Sequence, residues 1–234
     1  MIFRQFRADD GQLSYLFADP VTRHAAVVDP HLSLEQDYFD MMRHLDLRLV
    51  LALETHAHES HLSAGPLLCE ETGARWVLSS VAAGAVSASA ARDGDCLYVG
   101  EECIGALATP GHSACSICLR WRDAVFSGHT LLAGAAGDCC RPDADAAALY
   151  DSIRARLYSL PPETRVYPGA EFAGARETTI GRERARNDEV SDTTSAMRFI
   201  AVKRADCRAA RWALHLADSQ RGADLYPYHR VAAS

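Results

Sequence analysis

The sequence predicts an α/β fold, and three observations carry that prediction. Short apolar runs tolerant of β-branching recur as far as Ala170, most of them closed by Gly, Pro or Asp turn residues. Between some of them the apolar positions change to helical spacing, as Leu34, Tyr38, Met41, Met42 and Leu45 do after the capping box Ser33-Leu34-Glu35-Gln36. Histidines, finally, gather just past the carboxyl ends of apolar runs, where open α/β sheets place their chemistry.

Taken in order, Gln12–Ala18 and His24–Pro30 read as two antiparallel strands, the second stopped by Pro30. After the first helix, the strand Leu47–Leu53 delivers Glu54-Thr55-His56-Ala57-His58-Glu59-Ser60-His61. Alternate positions of an extended loop share a side, so His56 and His58 are expected to converge on one ion while His61 points elsewhere. Gly65-Pro66 opens a helix that Gly73 closes, and Trp76-Val77-Leu78 is a short strand. The Ala/Ser/Gly stretch from Ala82 to Ala91 is expected either to pack closely or to lie over the site as a loop.

Asp93-Gly94-Asp95 turns into Cys96–Val99, and Cys103–Ala108 leads into Thr109-Pro110-Gly111-His112. Ile117–Trp121 and Ala124–Phe126 form a hairpin pair ending at Ser127-Gly128-His129. Ala147, Leu149, Tyr150, Ile153, Leu157 and Leu160 keep helical spacing until Pro161-Pro162, and Arg165–Ala170 is a last strand and loop. From Glu177 onward the chain is charged and helical in pattern, with Met197, Ile200, Ala201, Trp212 and Leu214 expected on buried faces. No repeat or linker interrupts the chain, so residues 1–234 are expected to form one domain, with 191–234 a helical tail packed on it.

The hydrophobic content of 48% and charged content of 24% are those of a globular chain, and the net charge of -7 argues against nucleic acid. No apolar run reaches membrane-spanning length, and the start Met1–Arg7 lacks a leader pattern, so a cytoplasmic location away from membranes is expected. In that compartment the 8 cysteines stay thiols, and Cys115-Ser116-Ile117-Cys118 reads as core packing. His24, His31, His44, His215 and His229 fall away from the histidine loops and read as surface or structural groups. Glu54 and Glu59 flank the first histidines as candidate partners of their ring N–H groups or as solvated loop charges.

Thr55-His56-Ala57-His58, Thr109-Pro110-Gly111-His112, Phe126-Ser127-Gly128-His129 and Tyr167-Pro168-Gly169-Ala170 match, in order, four loop motifs of the metallo-β-lactamase superfamily. The chain resembles most closely its persulfide dioxygenase and glyoxalase II branch, from Met1 to about Val190, with Val28-Asp29-Pro30 and Asp93-Gly94-Asp95 as further matches. The resemblance implies an αββα sandwich, two mixed β-sheets flanked by helices. It also implies metal ligands, and here the chain departs: Ser60 stands for the first aspartate of H-x-H-x-D-H, His129 for the bridging aspartate and Ala170 for the final histidine. A second ion then has too few ligands.

Carried over to these positions, the first metal site becomes His56, His112 and His129, with His58 an additional ligand or a catalytic donor. The resemblance implies a mononuclear non-haem Fe(II) oxygenase or oxidase acting with dioxygen on the sulfur of a small thiol, persulfide or thioacid. Three histidines equally describe catalytic Zn(II), so a zinc-dependent thioesterase-type hydrolase stands as the alternative, beside a non-catalytic descendant of the fold. The branch's glutathione-holding arginine falls on Asp138, which points to another substrate, with Arg141 as compensating cation. Cys139 is a substrate-binding candidate, Cys139 and Cys140 reading otherwise as inert thiols, and Tyr167 a catalytic candidate whose other reading is packing within its strand. A homodimer is left open.

Overall fold

Alternation along the strands decides how the layers stack. In the computed structural model, which describes residues 2–59, 61–84 and 88–209, two six-stranded sheets lie face to face. The first holds β1 (Ile2–Arg7), β2 (Leu13–Ala18), β3 (His24–Val28), β4 (Arg48–Leu53), β5 (Arg75–Ser79) and β6 (Ser89–Ala91) in sequence order. Its first two pairings are antiparallel and the other three parallel. The second sheet runs β12 (Thr178–Thr179), β11 (Arg165–Pro168), β10 (Ala124–Gly128), β9 (Ile117–Trp121), β8 (Glu102–Ala108), β7 (Cys96–Val99), antiparallel except for β10 with β11.

Leu13, Tyr15 and Phe17 of β2 face inward onto Ile104, Leu119, Trp121 and Phe126 of the opposite sheet. Their neighbour Leu16 faces outward, with Val27, onto Tyr38 and Met42 of α1 (Glu35–His44) and Leu68 of α2 (Gly65–Thr72). On the other side Val125 and Val166 meet Leu149 of α4 (Ala146–Ser152), Ile153 and Leu157 of the widened turn that continues it, Ile180 of α5 (Ile180–Arg186) and Phe199. Two sheets between two helical layers give the αββα sandwich that the family resemblance implies.

Several local expectations are corrected. The capping box does not form: His31 Nδ1 accepts from the Ser33 amide at 3.1 Å, and a 3₁₀ turn, Leu32–Leu34, leads into α1. The opening residues are themselves a strand, β1. The Ala/Ser/Gly stretch supplies the end of the short α3 (Ser80–Ala83) and the edge strand β6, residues 85–87 lying outside the described set. In the helix 196–209, α6, Met197 is 82% exposed and Ala201 exposed, while Phe199, Lys203 and Cys207 are buried one turn apart. Lys203 is held inside by Ala136 O at 2.7 Å and Glu189 at 2.6 Å. Trp212, Leu214, His215 and His229 lie outside the described residues.

Cys115 and Cys118 are separate buried thiols, but Cys96–Cys103 and Cys140–Cys207 are disulfides, which corrects the all-thiol expectation. The β7–β8 hairpin and the packing of α6 bring the paired Cα atoms to 5.6 and 5.0 Å, inside the range a disulfide spans. Among the described residues no helix is long and apolar enough to cross a membrane.

Candidate metal centre

Parallel neighbours end at the same edge, and that edge carries the site. β3 and β4 pair in parallel, so Asp29 and Glu54, the residues that follow them, put two carboxylates side by side. β8 and β10, running the same way in the opposite sheet, deliver His112 and His129. Asp29 turns the chain with φ 49°, a left-handed conformation that Asp and Asn tolerate. Gly128, at φ 51°, leaves no room for a side chain, because a Cβ there would lie 2.3 Å from Thr55 Oγ1.

The rings of His56, His112 and His129 stand 4.9 to 5.0 Å apart between centroids, and one nitrogen from each lies within 4.8 Å of the others. The other nitrogen of each ring is engaged. His56 Nδ1 lies 3.0 Å from Thr55 Oγ1, whose own hydroxyl donates to Asp29 Oδ2 at 2.9 Å. His112 Nδ1 meets the Asp138 carbonyl at 2.9 Å, and His129 Nε2 meets Gln12 Oε1 at 3.1 Å. All three partners therefore act as acceptors, which places the ring protons there and leaves lone pairs on Nε2 of His56 and His112 and on Nδ1 of His129. Fixing the tautomer from outside is what metal-binding imidazoles require.

Electrostatics agree with that assignment. Burial, joined by neighbouring imidazoles, holds His56 well below the ordinary histidine range and lowers His129 to about 3; burial also lowers His112. The three are neutral, as ligands must be.

His58 does not join them. Its Nε2 sits 3.2 Å from Asp29 Oδ1 and 3.1 Å from Glu54 Oε2, in a second cluster shielded from solvent. Burial pulls its pKa down, but the two hydrogen-bonded carboxylates outweigh that and raise it to about 10. The same contacts, with those from Thr55, outweigh burial at Asp29 and lower its pKa, whereas burial pushes Glu54 upward. Glu54 also accepts from Trp76 Nε1 at 3.0 Å and from Ser63 Oγ. The loop is bent rather than extended at this point, so the alternation that predicts one shared ion for His56 and His58 does not apply. His31, expected to be remote, stacks on His61 at 4.5 Å and lies 3.3 Å from Asp10.

A cavity of about 350 Å³ opens on the three histidines, with Glu59, Asp138, Cys140 and Arg141 among its walls. Arg141 is tied to Ala57 O at 3.0 Å and to Glu59 and Asp143 at 3.2 Å. Cys139 turns away: its thiol, raised to about 11 by burial, faces Gly111 O, and Cys140 takes the wall position instead. Tyr167 points between the sheets, 4.7 Å from the ring of Phe3 and 5.7 Å from Phe126, because strand alternation sends Val166 out to the helices and Tyr167 into the core.

Gln12 had no sequence signal. Its backbone bridges to Ala170, the position where the resemblance expects a histidine, and its amide reaches the ring of His129. The Asp29–Thr55 link was partly visible, since Val28-Asp29-Pro30 stood out as a motif without a role.

No family model matches the sequence. The chain is 28% identical over 205 residues to the mitochondrial persulfide dioxygenase ETHE1 of Bos taurus, covering 86% of this chain and 80% of that one. It is 33% identical over 168 residues to a hydroxyacylglutathione hydrolase of Polaromonas sp., covering 68% of this chain and 62% of the relative. The crystal structure of ETHE1 from Myxococcus xanthus superposes with a TM-score of 0.84 at 36% identity, covering 87% of this chain and 90% of that one.

Proposed function

We propose, from the premise that the chain belongs to the metallo-β-lactamase superfamily, that it is an oxidoreductase acting on the sulfur of a small thiol, persulfide or thioacid. His56, His112 and His129 would hold one ferrous ion. The observation that carries this reading is the convergence of three neutral imidazoles whose outward nitrogens are all engaged by acceptors. The likeness to persulfide dioxygenases favours iron over zinc at a site whose nitrogen ligands suit both.

Ferrous iron bound there supplies oxygen and one-electron chemistry at sulfur. The chain's own residues do the rest. Thr55, the Asp138 carbonyl and Gln12 orient the rings and keep their lone pairs on the cavity side. Asp138 and Glu59 on the wall oppose a substrate with further carboxylates, and Arg141 is the cation set among them, so the cavity suits a small molecule whose negative charge resides on sulfur. His58, clamped by Asp29 and Glu54, anchors the loop rather than serving as a ligand.

The likeness to a hydroxyacylglutathione hydrolase supports the zinc thioesterase reading, but Ala170 and Ser60 bring no ligand for a second ion and His58 is committed to carboxylates. Metal analysis of protein purified without oxygen decides between them. The expected result is about one iron per chain, oxygen uptake with a persulfide, retention of metal in His129→Asp and more than about 100-fold weaker metal binding in His56→Ala. Zinc alone, with thiol released from acyl thioesters, would establish the hydrolase instead. Absence of stoichiometric metal would sink both.

A further inference from the structure

The Cys140–Cys207 disulfide separates two cavities, and its two sulfurs differ in what surrounds them. Cys140 is partly exposed and lines the histidine cavity. Cys207 is 8% exposed and lines a second cavity of about 500 Å³ behind it, with Arg204, Arg208 and Lys203 in the wall; Lys203 is paired with Glu189, and Asp145 is the carboxylate of the lining. Lys203 and Arg204 lie one helical turn before Cys207, and Lys203 is fixed in place by Ala136 O and Glu189. One sulfur is therefore open to attack, and the other sits where a negative charge is stabilised.

That asymmetry is what thiol–disulfide exchange needs. The attacking thiolate must reach one sulfur, and the rate rises as the leaving thiol's pKa falls. Surrounding cations lower the pKa of a thiol.

We propose that Cys140–Cys207 is a thiol–disulfide exchange site that takes a small thiolate from the histidine cavity. The incoming sulfur bonds to Cys140 Sγ, the Cys140–Cys207 bond breaks, and its electron pair leaves on Cys207 Sγ as a thiolate beside Arg204 and Arg208. The incoming sulfur is oxidised to the disulfide level and Cys207 is reduced, with no outside oxidant. The product is a small molecule covalently seated on Cys140, beside His56, His112 and His129. The step needs no metal, so it stands or falls apart from the iron reading.

The test uses the full chain, stripped of metal with a chelator, and 2-mercaptoethanol as the probe. After brief exposure, acid quenching and alkylation, peptide mass mapping is expected to find mercaptoethanol disulfide-bonded to Cys140 and alkylation confined, of the two, to Cys207. Arg204→Gln combined with Arg208→Gln, at surface positions that leave the core intact, is expected to slow adduct formation several-fold. An adduct on Cys207, a bond that resists the thiol, or two free thiols before any treatment each overturns the proposal. So does an unchanged rate in the double variant.

Discussion

Two histidine-containing clusters lie side by side at one edge of the sandwich, one of three imidazoles and one of an imidazole between two carboxylates, and they have opposite characters. His56, His112 and His129 have neutral acceptors as their hydrogen-bond partners, a hydroxyl, a backbone carbonyl and an amide, with the Asp138 carboxylate standing off at 3.8 Å from His112, so burial keeps them uncharged and their free lone pairs look into a cavity. His58, whose ring centroid is only 4.1 Å from that of His56, is met by two buried carboxylates and holds its proton. The difference shows that what a histidine does is decided by the charge of its neighbours and not by its place in a motif. Thr55 joins the two, accepting from His56 and donating to Asp29, so the charged cluster orients a ring of the neutral one.

The strongest way to break this contrast is Asp29→Asn, which keeps the left-handed turn but removes one of His58's two counterions and disturbs the acceptor beneath Thr55. Breaking a buried pair of this kind costs about 3–5 kcal/mol. Denaturant unfolding is expected to show that loss, together with weaker metal binding through His56. Stability equal to the parent protein would mean that His58 is not charged in the fold.

Gln12→Ala should act on the neutral cluster alone. Loss of an outer hydrogen bond to a ligand imidazole lowers metal affinity by about 10–100-fold, and competition against a chelator measures it. Unfolding of the metal-free protein should barely change. An affinity within two-fold of the parent would show that His129 needs no such restraint.

The most gradual effect, spread over several pH units, is a pH dependence with two opposite limbs. His58, raised to about 10, contributes stability that is complete below the unfolded histidine pKa near 6.5 and is lost as pH rises toward 10. His129, lowered to about 3, stays neutral in the fold while the unfolded chain takes up its proton, so stability falls as pH drops from 6.5 toward 3. Each group tilts the curve by at most about 1.4 kcal/mol per pH unit. His58→Asn should flatten the alkaline limb and His129→Asn the acid limb in metal-free protein. If both variants keep the parent's curve, the two clusters do not differ in protonation.

Much of the fold was legible because alternation and helical spacing are local. Leu149, Ile153 and Leu157 declare a helical face by themselves, whereas β2 reads as a strand but is buried on both sides, so only its partners show that Leu13, Tyr15 and Phe17 point inward. The strand Ile2–Arg7 was harder to see, since its burial pattern mixes half-buried with exposed positions. In α6 the stripe is set by Lys203, a charged residue that no hydrophobic pattern would place inside; its partners, Ala136 and Glu189, lie 67 and 14 residues back along the chain.

The site divides along the same line. By itself the sequence determined that His56, His112 and His129 each follow a strand, because apolar runs and residue identity are local; their grouping as one ligand set, and Ser60 and Ala170 standing at lost ligand positions, came from the family resemblance. Only the tertiary structure decided which nitrogen of each ring is free, that His58 belongs to Asp29 and Glu54, that Gln12 holds His129, and that Cys140 meets Cys207. Each of these rests on a contact between residues brought together by sheet pairing or helix packing, and a bend of one loop redirects a ring that spacing alone had pointed at the metal.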